Sequence, residues 1–213
     1  MLLTTVGLVL TLPLLAQAKP SGYVKYDGEI ERKVLSPQPH TYLSQSELPA
    51  KFDWRNINGT NFCSRTLNQK NPNVCGSCWA EAVTGALSDR YILATSGHAQ
   101  IQLAPQVLIN FNARTTGGSC NGGDHLKAYD FMHKYGMVDD TCAPFAGLNW
   151  LHGFDVAAMT GVKAVQNHMC YTCDWDDTCG YVKADEIVNY KVEEFGEITG
   201  EEFGEITGGG GVW

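Results

Sequence analysis

Cys75 and Cys78 bracket a Gly76-Ser77 pair, and Cys78 opens the strongest helical pattern in the chain. After it, Trp79, Ala82, Val83, Ala86, Leu87 and Arg90-Tyr91 recur at steps of three and four, the spacing of one helix face. Gly97 is the expected stop. The fold must therefore hold a thiol at the first turn of a packed helix, entered through two small residues that allow a tight approach. That position matters chemically, because a helix N-terminus favours the thiolate, the form that attacks carbonyl groups.

The other cysteines set the compartment. There are eight, at 63, 75, 78, 120, 142, 170, 173 and 179. In an oxidising lumen most would pair, with a connectivity that spacing alone leaves open. The N-terminus agrees: Leu2 to Leu15 is almost wholly apolar and Ala16-Gln17-Ala18 follows, a short h-region with small residues placed for cleavage. No Lys or Arg precedes it, so a buried N-terminal helix is the alternative. The run is too short to span a bilayer, and no other stretch is apolar enough. Asn58-Gly59-Thr60 is an N-glycosylation sequon, meaningful only in a secreted chain. The expected location is the secretory pathway, in an endolysosomal lumen or outside the cell. Charge excludes one partner class: 15 Lys+Arg stand against 23 Asp+Glu, net −8, with no basic run. A phosphate-binding surface needs clustered cations, so no nucleic acid is expected.

Four stretches are read along the 213 residues. Residues 1–18 are the signal peptide. Residues 19–47 are polar and carry Pro20, Pro37 and Pro39; they read as an extended segment lying on something else or a linker, and their position suits a short pro-segment. From Leu48 to residue 192 runs the main domain, with Phe52, Trp54, Ile57 and Phe62 as core-forming side chains. Further helices are expected at Ala104 to Asn110 and at about Asp124 to Lys134, the latter with Leu126, Tyr129 and Phe131 apolar and Gly136 as its stop. Cys142 to Cys179 reads as stapled loop. In 193–213, Glu193 to Gly200 is repeated without change at Glu201 to Gly208, and glycines 209 to 211 follow. One duplication is not a solenoid, which needs at least three stacking units. The glycine run should be flexible, and a truncated or misassembled product is the expectation.

Cleaving an acyl bond with Cys78 requires two more devices. The oxyanion of the tetrahedral intermediate needs donors; the Cys78 N–H and the side-chain amide of Gln69 are candidates. A general base, usually His oriented by Asn or Asp, must take up the thiol proton. The string Cys75-Gly76-Ser77-Cys78-Trp79 matches the nucleophile signature C-G-[SA]-C-[WY] of the papain family. By these residues the chain is identified as resembling a papain-family cysteine peptidase of the carboxypeptidase branch. Further segments carry the likeness: Pro39 to Ser44 with Glu47-Leu48-Pro49, Phe52 to Asn56, the loop from Asn68-Gln69 to Ala80, Gly118 to Gly123, and Val138 to Cys142. Residues 143–168 depart from the family.

The resemblance implies an α+β, papain-like fold, chiefly its helical left lobe, with most of the β-rich right lobe absent. It implies a peptide or protein substrate cleaved near its C-terminus by a Cys78 thiolate, with no cofactor, no metal, no membrane span and a monomeric chain. The nine-residue spacing from Gln69 to Cys78 matches a family loop that holds the substrate's terminal carboxylate, and Lys70 stands at the anchoring position. Gly122 and Gly123 would let a substrate backbone approach, since a Cβ would block it; a turn after a disulfide is the plainer reading. The implied disulfides are Cys75–Cys120, Cys142–Cys170 and Cys173–Cys179. Phe111 stands where another family cysteine would be, and Cys63 is left free. The family's His and Asn lie roughly 130–150 residues beyond the nucleophile, at about 208–228 here. No His follows His168 and the last residue is Trp213, so the chain as written is expected to lack its base and be inactive. The main alternative is therefore a non-catalytic fragment or pseudoenzyme. Two other readings, a redox Cys-x-x-Cys and a zinc site from Cys75, Cys78, Cys170 and Cys173, fit the spacings poorly.

Overall fold

A computed structural model describes residues 22–110, 117–149, 170–173, 175–176, 178–182 and 186–197. The expected signal peptide, Phe111, His152, His168 and the second octapeptide copy lie outside the described residues.

Helix α1, Cys78–Ala94, runs through the centre. Helix α2, Pro105–Asn110, and helix α3, His125–Tyr135, pack on it. Strands β1, Gly118–Ser119, and β2, Gly122–Gly123, form a short antiparallel hairpin, as do β3, Tyr171–Cys173, and β4, Cys179–Tyr181. The first hairpin packs on α1 and α2, and both small sheets are antiparallel, as in an α+β chain.

An isolated helix of α1's length is marginal in water, so packing must hold it. Its buried face differs from the expected stripe. Trp79, Ala80, Val83, Thr84, Leu87, Ser88 and Ile92 are buried, while Ala82 and Ala86 face solvent. The apolar pattern missed this because two hydroxyl residues sit inside. Thr84 Oγ1 donates to the Ala80 carbonyl and Ser88 Oγ to the Thr84 carbonyl. Ser88 Oγ also accepts the Leu103 N–H at 2.9 Å. Hydroxyls satisfied in this way carry little burial penalty.

Helix α3 is delimited by local chemistry. Asp124 is its N-cap, accepting the N–H groups of Leu126 and Lys127. Gly136, at φ +82°, ends it by entering the left-handed region. Phe131 and Met132 supply its core side chains, 1% and 0% exposed. The aromatic residues expected in the core near the domain's start stay at the surface. Phe52 is 50% and Trp54 40% exposed; they cluster edge-to-face with each other and with Phe62.

Three disulfides staple the chain: Cys75–Cys120, Cys142–Cys170 and Cys173–Cys179. Cys63 and Cys78 are free. Residues 22–47 run extended with two 3₁₀ turns at Pro39–Thr41 and Gln45–Glu47. Their first half is held at two points, by a bridge from Tyr23 to Gly123 and by one from Lys33 to Phe195. No described helix is long and apolar enough to cross a membrane.

Candidate active site

Cys78 is the first residue of α1 and is exposed. Its surroundings are built by three constraints. Trp79, 3% exposed, drives the first turn into the core and donates from Nε1 to the Ser119 carbonyl at 3.1 Å. The Cys75–Cys120 disulfide and the 2.7 Å bond from Gly76 N–H to the Cys120 carbonyl tie the helix entry to the β1–β2 hairpin. The loop before the helix folds back, so that Cys75 N–H donates to the Gln69 carbonyl at 2.9 Å.

That fold-back brings Gln69 to Cys78. The Cys78 N–H donates to Gln69 Oε1 at 3.1 Å. The two candidate oxyanion donors are therefore neighbours across nine residues of sequence, here bonded to each other. Lys70 is exposed, its backbone N–H held by Asn68 Oδ1 at 3.0 Å. It lines a cavity of about 510 Å³ together with Gly22, Gln69, Val74, Cys120 and Asn149.

Gly122 and Gly123 form β2, next in sequence to Asn121 on the cavity wall. Gly122 has φ +105°, a conformation that favours glycine. Gly123 sits on Trp79: a Cβ there would lie 2.5 Å from the indole and 2.7 Å from Gly118 Cα. An extended strand already pairs with this edge. Gly123 N–H donates to the Gly22 carbonyl and Val24 N–H to the Gly123 carbonyl, both at 3.0 Å. The same strand passes so close to Cys78 that a Cβ on Gly22 would collide with Sγ.

Sequence reasoning passed over residues 146–149, within the stretch that departs from the family. They wall the cavity because Gln106, fully buried on α2, clamps them. Its Oε1 accepts the N–H groups of Ala146 and Gly147, and its Nε2 donates to the Leu148 carbonyl. Asn149 Oδ1 then accepts the Cys120 N–H at 2.6 Å. A buried Gln in a short apolar helix was the available signal, since such an amide needs partners.

With Cys75 bonded to Cys120 and the other pairs closed, neither a redox Cys75–Cys78 pair nor the four-cysteine zinc site can form. Two described imidazoles have defined partners other than Cys78. His133 Nδ1 lies 2.6 Å from the Val192 carbonyl, and His125 lies beside the Tyr23 ring. Among ionisable groups near the helix entry, burial pushes the Glu81 carboxyl up, against a bond from Ser77 Oγ that lowers it. Cys63 is half-buried, and burial with the nearby Asp89 carboxylate raises its thiol.

Residues 48–205 match the family described as papain family cysteine protease. Cathepsin Z of Onchocerca volvulus is 34% identical over 84% of this chain and 54% of its own length. Human cathepsin O is 30% identical over 63% of this chain and 37% of its own. The chain thus spans about half, or less, of the curated relatives it matches. In fold it is similar to the digestive procathepsin L2 proteinase of Tenebrio molitor larval midgut, with a TM-score of 0.50 and 21% identity, covering 60% of this chain and 39% of that one.

Proposed function

Because the chain belongs to the papain family of cysteine peptidases, we propose that it is the nucleophile-bearing part of a carboxypeptidase resembling cathepsin Z (cathepsin X). The observation that carries this is the conjunction at Cys78. An exposed thiol at a helix N-terminus has Gln69 at its backbone N–H and a strand-pairing glycine edge beside it. In this reading the thiolate adds to the substrate carbonyl carbon, and the carbonyl electrons move to oxygen. The Cys78 N–H and the Gln69 amide receive that charge once their mutual bond opens. Gly122 and Gly123 align the substrate backbone as they now align residues 22–24. Lys70, on the cavity rim, pairs with the substrate's terminal carboxylate.

Residues 19–47 act as a pro-segment in this proposal, supported by the strand from Gly22 to Val24, which pairs with Gly123 and passes beside Cys78 Sγ. The leader, the three disulfides and an exposed sequon on the Asn58-Gly59 turn support a secretory or endolysosomal route with glycosylation at Asn58.

A second reading is favoured by the histidines. His133 is engaged by the Val192 carbonyl and His125 lies against the Tyr23 ring, and loss of one member of a catalytic unit removes most of the rate. The 213-residue polypeptide by itself is therefore proposed to be non-catalytic. Two measurements test the pair of readings. Turnover of a dipeptidyl C-terminal substrate by the purified 213-residue chain is expected to be absent, and a measurable rate refutes the second reading. After removal of residues 1–47, a peptidyl electrophile with a free carboxylate should label Cys78 faster than its amidated form. Lys70→Ala should erase that preference; equal labelling of both forms by the parent would sink the carboxypeptidase reading.

A further inference from the structure

The first copy of the duplicated octapeptide is not a loose tail. Residues 193–197 fill part of a groove formed by α3 and residues 32–36, and together with α1 they line the space left open. Phe195 is 7% exposed, stacks on Tyr129 at 6.4 Å and lies 5.9 Å from the His133 ring. Its N–H and carbonyl pair with Lys33 at 2.8 and 3.0 Å. Glu194 accepts the N–H groups of Leu35 and Ser36 at 2.8 and 2.7 Å and the Ser36 hydroxyl at 2.6 Å. Glu197 pairs with Arg32 at 2.7 Å. Gly196 passes Val34 so closely that a Cβ would lie 2.8 Å from Cγ2. Each of these four positions recurs eight residues later, as Glu202, Phe203, Gly204 and Glu205.

We infer that this groove is a binding site for the octapeptide itself and that Glu201 to Gly208 is a second ligand for it, so that one chain can hold residues 32–36 in either of two registers. The partner is specified by its chemistry: an acidic residue, an aromatic ring, a residue without Cβ and a second acidic residue, in that order. Seating the second copy loops out residues 193–200. Closing such a loop lowers occupancy by on the order of ten- to a hundredfold, so the first register dominates in the parent chain. Removing the buried Phe195 ring weakens the first register by about a hundredfold or more, so the second copy then takes over. A copy from another molecule competes against a tethered one at an effective concentration of order millimolar, which keeps the exchange within the chain.

Amide hydrogen exchange at Lys33, Leu35 and Ser36 in the 213-residue chain reads the outcome, with α1 amides reporting that each variant is folded. Phe203→Ala should leave protection unchanged. Phe195→Ala should lower it by no more than about a hundredfold, the loop penalty. Phe195→Ala with Phe203→Ala should lower it at least tenfold further, and the free octapeptide at millimolar concentration should restore it. Glu194→Ala, which removes an exposed side chain, and the Glu194→Ala/Glu202→Ala pair should follow the same order. A Phe195→Ala chain as unprotected as the double variant overturns the proposal. So does a double variant as protected as the parent, or one that the free octapeptide fails to rescue.

Discussion

Asp130 shows how single residues carry the fold's electrostatics. It is 3% exposed on α3 and pairs with Lys127 at 2.6 Å and Lys134 at 2.7 Å. Burial pushes its carboxyl up, but the two ammonium groups outweigh that and hold it below the usual carboxylate range. A depressed folded pKa stabilises above the ordinary value of about 4 and is lost as pH falls through and below it. Lys134 is raised by the same contact, so the pair is lost at the acid end when Asp130 takes up a proton and at the alkaline end when Lys134 gives one up. Asp130→Asn should therefore cost about 2 kcal/mol at neutral pH. Thermal melts of parent and variant should keep a constant gap from pH 5 to 8 and converge below about pH 4. Thiol chemistry sorts at the same scale. Cys78 is exposed and Cys63 half-buried with a raised thiol. A small alkylating reagent at neutral pH should modify one thiol fast and one slowly, and Cys78→Ala should remove the fast phase. Cys78 was legible because its motif, helix entry and neighbours in sequence all pointed to one position. Gln106 was not, because its partners come from 40 residues away.

Among elements, α3 is the one whose ends the residues specify most directly. Asp124 caps it through Oδ1 and holds the strand before Tyr26 through Oδ2, which accepts the Tyr26 N–H at 2.9 Å. Asp124→Ala should cost about 1–2 kcal/mol and speed exchange of the Tyr26 amide. Asp124→Asn, which can still cap, should recover most of the stability in a denaturant titration. The boundaries of the helices followed from caps, glycines and apolar spacing, all of them local. The buried face of α1 did not: Thr84 and Ser88 are core residues only because neighbouring carbonyls and the Leu103 N–H satisfy them. Phe52 and Trp54 erred in the other direction, apolar residues left at the surface.

Across the whole molecule the disulfides differ in reach. Cys75–Cys120 joins positions 45 apart and Cys173–Cys179 positions 6 apart. Chain-entropy reasoning assigns about 4 kcal/mol to the first and about 2 kcal/mol to the second. Replacing the first pair by serine should lower the melting temperature more than replacing the second. It should also loosen the helix entry, since the Gly76–Cys120 hydrogen bond lies beside it. Equal shifts would show that the longer loop retains structure when unfolded.

The sequence by itself determined the family, the free thiol at the head of α1, the helical order and the stapled character of the chain, because motif, spacing and capping act over a few residues. Only the tertiary structure decided what surrounds Cys78. The strand beside the thiol, the Gln106 clamp and the docked residues 193–197 join residues 40 to more than 150 positions apart. No local pattern encodes such contacts, because they exist only once the helices have packed and left an edge or a groove to fill.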